Sequence, residues 1–274
     1  MHHVTAVFEK GVARGSVPLV QRAIELGLDV NEPLSSGETP LMTASTYGSL
    51  EVVRFLIDVG KADVNKTDGV KCWTPLLGSS QFGHYEVSRL LLAGGAKVDQ
   101  ANYKGATPLI ISSRNRQLKV TQLLLDNGAK IDQGDRDSVT PLIFSSLEGY
   151  PEVVKLLLAN GAKVNHTDDN GGCPLYVSSQ RGHTEVVRLL LANGASVNQA
   201  NNNGATPLFV SSQDGHQEVV KLLLSKGAKV DQANNDGETP LSISRLQGHR
   251  EVEELLLPVS PSWSRPSRRR RWRW

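Results

Sequence analysis

Apolar residues fall along this chain in short clusters of two kinds, and the kinds alternate. Between 206 and 227 the first cluster is Leu208, Phe209 and Val210, and the second is Val219, Val220, Leu222, Leu223 and Leu224. Members of the second cluster recur three and four positions apart, which predicts an amphipathic helix beginning just after His216. The first cluster follows Thr206 and Pro207. Threonine at the N-cap with proline at the first helical position is a start signal, because the N–H that proline lacks would have had no intrahelical partner. Gly215 and Gly227 supply the left-handed residues that stop the two helices. Residues 229–237 are left as an extended connection and a turn.

This unit returns down the chain. The proline of Thr-Pro-Leu and its variants stands at Pro40, Pro75, Pro108, Pro141, Pro174, Pro207 and Pro240, spaced 35 residues once and then 33 five times. Such a period marks a stacked-repeat architecture. Each unit reads Thr-Pro-Leu, two small residues, Gly-His, a Glu-Val-Val-x-Leu-Leu-Leu run and Gly-Ala-x-Val-Asn or Gly-Ala-x-Val-Asp. It closely resembles the ankyrin repeat, over about residues 35–257, with a weaker copy from Val12 to Asn31. The resemblance implies an all-α solenoid of stacked helix-turn-helix units joined by β-turn or hairpin connections, whose first helices and turn tips line a concave side. The chain divides accordingly into a divergent N-terminal capping repeat (1–34), an array of seven repeats (35–257) and a basic tail (258–274).

Departures from the family pattern are informative. The histidine usual after Thr-Pro-Leu is replaced throughout, by Met42, Leu77, Ile110, Ile143, Tyr176, Phe209 and Ser242. Ser-Ser pairs such as Ser112-Ser113 and Ser211-Ser212 take the place of Ala-Ala; they are small enough for close packing, and their hydroxyls can return to a carbonyl one turn back. Cys173 stands where the capping threonine belongs, and Arg116 where the turn glycine belongs. Asn31, Asn65, Asn165 and Asn198 resemble, through the family alone, positions that asparaginyl hydroxylases modify.

Composition narrows the functional classes. No stretch of 18 apolar residues exists and the N-terminus lacks a signal-peptide pattern, so a soluble protein of the cytoplasm or nucleus is expected. Cys72 and Cys173 lie three repeats apart; with helices stacked about 10 Å from one another they stand roughly 30 Å apart, whereas a disulfide needs Cα atoms within about 7 Å. The net charge of +2 hides an asymmetry: six arginines in the tail leave the first 257 residues with 24 basic against 28 acidic side chains.

The histidines His84, His183, His216 and His249 each precede a glutamate by two residues, yet they occur once per repeat at one place. Zinc ligands must converge on a point, so these are read as structural, bridging backbone groups of the inter-helix turn. Cys and His nowhere fall at ligand spacing, and no phosphate-binding Gly-rich loop appears. The expectation is a non-enzyme without metal, cofactor or small-molecule substrate, acting as a monomer on another protein.

What breaks the period is the pair of surfaces that the resemblance assigns to ligand: the turn tips and the residues just before each inter-helix glycine. In the first half these are aromatic and basic: Tyr47, Lys71, Trp73, Phe82, Tyr103, Lys104 and Arg114, with Arg136 and Arg181 further along. Aromatic and arginine side chains dominate binding hot spots. Trp73 follows the irregular spacing, where it either faces a partner or folds over its own turn. Towards the C-terminus the tips carry Asp168, Asp169, Asn202, Asp214, Asp236 and Glu238, residue types that turns favour for conformational reasons. The tail, with Arg268, Arg269, Arg270, Arg271, Trp272 and Trp274, has no aliphatic periodicity and is expected to be disordered. It suits nuclear import or phosphate contact, an anionic membrane surface, or an adventitious end to a longer array. A scaffold, adaptor or inhibitor working through the concave face is the leading expectation, with tail-mediated nucleic-acid or membrane binding as the alternative.

Overall fold

A computed structural model describes residues 2–257, with side chains from Val7 onward, so the readings of the Arg/Trp tail lie outside the described residues. The described chain forms sixteen helices in eight consecutive pairs: α1 (His2–Ala13) with α2 (Val17–Glu25), α3 (Pro40–Thr46) with α4 (Leu50–Asp58), α5 (Pro75–Phe82) with α6 (Tyr85–Ala93) and α7 (Pro108–Arg114) with α8 (Leu118–Asp126). There follow α9 (Pro141–Glu148) with α10 (Pro151–Ala159), α11 (Pro174–Gln180) with α12 (Thr184–Ala192), α13 (Pro207–Gln213) with α14 (Gln217–Ser225) and α15 (Pro240–Leu246) with α16 (Arg250–Leu256). Odd-numbered helices stack on odd-numbered ones and even on even, so the molecule has an inner and an outer row. No strand occurs among the described residues.

Local chemistry sets these boundaries. Thr39, Thr74, Thr107, Thr140, Thr206 and Thr239 each accept the N–H three residues on at 3.2–3.3 Å, and Cys173 does the same through sulfur at 3.4 Å. Proline follows every one of them as the first helical residue. Gly215 and Gly227 take φ of +74° and +83°, the left-handed conformation that ends each helix. Arg116 adopts the same conformation at φ +57° without being glycine. The irregular spacing is accommodated by two more left-handed residues, Lys61 at +57° and Cys72 at +52°.

The core is a pair of leucine rows repeated along the stack. Leu41, Leu76, Leu109, Leu142, Leu175 and Leu208 from the inner helices and Leu56, Leu91, Leu124, Leu157, Leu190 and Leu223 from the outer ones are all fully buried. No pair could bury its leucines alone, so stability is shared between neighbours.

Polar bonds then join each repeat to the next along three lines. At the tips, Tyr103 N–H donates to the Lys71 carbonyl (2.9 Å), Arg136 to Lys104 (3.0 Å) and Asn202 to Asn170 (3.0 Å). Below them the side chains of Asn65, Asn165 and Asn198 accept from the backbone of Lys97, Ser196 and Lys229 at 2.8–2.9 Å, which accounts structurally for the Val-Asn element. Between the helices, Nε2 of His84, His183, His216 and His249 lies 2.9–3.0 Å from the carbonyls of Thr46, Leu147, Gln180 and Gln213. Each imidazole therefore ties its turn to the preceding repeat rather than closing the turn on itself. Gln117 stands in for histidine and reaches the Gln81 carbonyl at 3.1 Å.

The serine pairs divide. Ser79, Ser112, Ser145, Ser178 and Ser211 return their hydroxyls to a carbonyl three residues back, as expected. The second serine of each pair, Ser80, Ser113, Ser146, Ser179 and Ser212, is buried without a hydrogen-bond partner. Here a small volume between stacked inner helices is what the position requires.

Candidate functional site

The tips and the inner helices of the second to fifth pairs enclose two adjoining clefts, of about 490 and 400 Å³, with Trp73 and Gln81 in the walls of both. Trp73 is held there from the backbone up. Asp68 Oδ1 accepts the N–H of Lys71 at 2.9 Å and of Trp73 at 3.1 Å, which folds the long turn and aims the indole away from it. The ring packs, half-buried, against the cluster of Leu77, Ala106, Ile110 and Ile111, on which Phe144 also packs. It thus packs onto α5 and the next repeat and shares the first cleft with Asp68, Val70 and Lys71 of its own turn. The first cleft continues over Val70, Lys71 and Phe82 to Glu38 and Thr46. The second is bounded by Tyr103, Lys104, Arg114, Asp135 and Phe144.

Six of the residues singled out in the sequence, Lys71, Trp73, Phe82, Tyr103, Lys104 and Arg114, line these clefts. Phe82 is 51% exposed and Tyr103 44%, so both rings offer apolar surface to solvent. Tyr47 is 64% exposed at the end of α3 but lines neither cleft. Arg136 is exposed beside the second cleft through its neighbour Asp135, and its N–H is fixed on Lys104. Arg181 stands apart, over a shallow depression with Leu147, Glu148 and His183.

Phe144 is the residue that sequence reasoning missed. It occupies the position held by Ile111, Val177, Val210 and Ile243 in other repeats, so it reads as one more core aliphatic. Its ring instead forms a cleft wall, and the Arg114 guanidinium lies over it at 5.3 Å. The signal available was the single aromatic in that column.

The tips of the acidic half share their turn chemistry with those of the basic half, where Asn102 and Asp135 each accept two backbone N–H groups. Asp168 accepts the N–H of Asn170 and Gly172, and Asn201 and Asn234 do the same in the next two tips, so these side chains are committed to turn geometry. An apolar cluster of Ala205, Phe209, Val210 and Ile243 with Tyr176 fills the corresponding space. Burial raises both the Tyr176 phenol and the Cys173 thiol above their ordinary ranges. Both cysteines are free. Among the described residues no three His, Cys, Asp or Glu side chains gather as a metal site would require, and no helix is long and apolar enough to cross a membrane.

A sequence model for ankyrin repeats in three copies matches in six overlapping placements that together run from residue 6 to residue 262. The chain belongs to the ankyrin-repeat family. Ankyrin repeats generally act as protein-interaction modules, and the family is typically non-catalytic. Among curated proteins, this ankyrin array is similar to the glycerophosphocholine phosphodiesterase gde1 of Schizosaccharomyces pombe, with 36% identity over 87 residues, covering 32% of this chain and 8% of that protein. It is also similar to ankyrin repeat and SAM domain-containing protein 6 of Rattus norvegicus (41% over 69 residues; 25% and 8%). A third relative is ankyrin repeat and KH domain-containing protein 1 of Homo sapiens (36% over 93 residues; 34% and 4%). The ankyrin stretch thus spans no more than 8% of each of these relatives.

Proposed function

We propose that this chain is a non-catalytic scaffold, adaptor or inhibitor that holds a partner protein on the tip-and-inner-helix face of its second to fifth helix pairs. The observation that carries this reading is the placement of Trp73 as the shared wall of two adjoining clefts, with Phe82, Tyr103 and Arg114 around it. Residues 35–257 are the binding array and 1–34 its cap. An aromatic anchor in a desolvated pocket, ringed by arginine and tyrosine, is the composition from which binding energy is drawn. Two free cysteines suit a reducing compartment, the cytoplasm or nucleus.

Affinity capture from lysate tests it, comparing the intact chain, residues 1–257 and the triple variant Trp73→Ala, Phe82→Ala, Arg114→Ala, with cross-links mapped on the captured protein. Capture that survives truncation, cross-links to the Trp73 face and vanishes in the triple variant at unchanged helical circular dichroism supports the reading. Capture that follows residues 258–274, consists of nucleic acid and falls steeply with salt overturns it.

A further inference from the structure

Resting on that reading, we infer the chemistry of the partner: the clefts flanking Trp73 take an extended acidic protein segment that carries two bulky apolar side chains three residues apart. The first ground is charge. Lys71, Lys104, Arg114 and Arg136 surround the clefts, and none of them makes an ion pair among the described residues. Three carboxylates on the same rim are engaged, while Asp137 beside Arg136 is exposed. Asp68 accepts the N–H of Lys71 and Trp73, Asp135 those of Asp137 and Val139, and Glu38 the Thr43 hydroxyl at 2.9 Å. These acids keep their charge but are half-buried and held to their own tips and helix, whereas the four cations are exposed, so the solvent side of the clefts presents the cations to a partner's carboxylates.

The second ground is spacing. The tips that bound the clefts are bonded one to the next, Tyr103 to Lys71 and Arg136 to Lys104, so a segment lying along the clefts passes tips spaced by one repeat. Helices packed side by side lie about 8–10 Å apart. A polyproline-type segment rises about 3.1 Å per residue with three residues per turn, which returns side chains to one face every ~9 Å. A β-strand offers about 7 or 13 Å instead, since only alternate side chains share a face. The one-repeat step therefore selects apolar residues at i and i+3.

The third ground separates a peptide from a polyanion. The first 257 residues carry 24 basic and 28 acidic side chains, so the array has no overall positive field to hold a long polyanion, and attraction is confined to the local cations beside the clefts, which suit a short acidic run. The second cleft offers the apolar surface of Ala106, Ile110, Ile111 and Phe144, and the first that of Val70, Trp73 and Phe82, so each accepts an aliphatic or aromatic side chain, which a phosphate backbone does not supply.

The test is selection of random dodecapeptides displayed on phage against the full-length chain, followed by fluorescence anisotropy of the winning peptide, labelled, on three proteins. These are the parent, Trp73→Ala, and the exposed-cation variant Lys71→Glu, Lys104→Glu, Arg114→Glu. The expected result is enrichment of Asp and Glu over the naive library, an apolar pair at i and i+3, and affinity weakened at least tenfold in the cation variant at unchanged circular dichroism. A single-stranded oligonucleotide should not displace the peptide. Winners that depend on Trp73 but are neutral or basic overturn the acidic partner and leave the binding face standing. Winners indifferent to both variants overturn the two together, and displacement by the oligonucleotide overturns the choice of a peptide.

Discussion

Arg114 and Phe144 come from successive inner helices, and the guanidinium of one lies 5.3 Å over the ring of the other. Their pairing closes the far wall of the second cleft and shows a charged group resting on an aromatic face with no carboxylate partner among the described residues. Replacing Phe144 with leucine keeps apolar volume and removes the ring. A cation–π contact at such an exposed site contributes about 0.5–1 kcal/mol. Phe144→Leu is therefore expected to lower the urea midpoint slightly and to weaken partner binding several-fold. Equal binding by the parent and the variant would remove Phe144 from the site.

The imidazole-to-carbonyl bonds carry their own control. Gln117 makes the same inter-repeat bond through Nε2 at 3.1 Å. Accordingly His183→Gln should retain the bond to the Leu147 carbonyl, whereas His183→Ala leaves that group without it and should cost about 1–2 kcal/mol. Thermal melts of the two variants decide the matter; equal losses would mean that ring packing rather than the bond is what counts.

Cys173 caps α11 with sulfur, and Sγ accepts the Tyr176 N–H at 3.4 Å. Oxygen is the better acceptor, so Cys173→Thr should gain about 0.5–1 kcal/mol. Burial holds the thiol neutral in the folded protein and raises its pKa. The unfolded chain then releases this proton first as pH rises, so the associated stability is present below the ordinary thiol range near 8.5 and is lost as pH climbs through the raised folded value. Melting temperature should fall more steeply between about pH 8.5 and 10 in the parent than in Cys173→Thr; parallel curves would contradict the assignment.

Left-handed residues at the inter-helix turn differ in what surrounds them. A Cβ on Gly182 would stand 2.6 Å from Nδ1 of His216, at φ +72°. Gly182→Ala is expected to cost more than the 1–2 kcal/mol of the conformation alone. Arg116→Gly goes the other way, relieving φ +57° while losing the exposed ion pair with Glu152 at 3.3 Å and the contact over Tyr150 at 5.7 Å. Those losses are about 1 kcal/mol in sum, so the variant should melt within a few degrees of the parent.

The repeat, its helix boundaries and the leucine rows were legible because each is a local rule applied many times: a capping threonine, a proline after it, a glycine at the end. The cleft was legible only in part. Trp73, Phe82 and Arg114 announce themselves by breaking the period, but Phe144 substitutes one apolar residue for another and becomes a wall only once α7 and α9 are stacked. Arg181 broke the period equally well and falls elsewhere, because it belongs to the sixth pair, beyond the second to fifth pairs that line the clefts. The bonds of His183 and His216 to the preceding repeat were hidden for the same reason, since residues 36 positions apart meet only in the folded stack.

At the junction of the fourth and fifth pairs, Tyr150 occupies the histidine position, and the tie to the preceding repeat is an exposed Arg116–Glu152 pair with a ring contact. Pulled by its two ends, the molecule would behave as a spring whose soft coil within the run of 33-residue repeats lies at this junction. Rupture is expected to begin there, and each pair that comes loose adds on the order of 110 Å of contour for its 33 residues. An optical trap would record the first step at the middle of the array, where the chain has exchanged an imidazole-to-carbonyl bond for a surface ion pair.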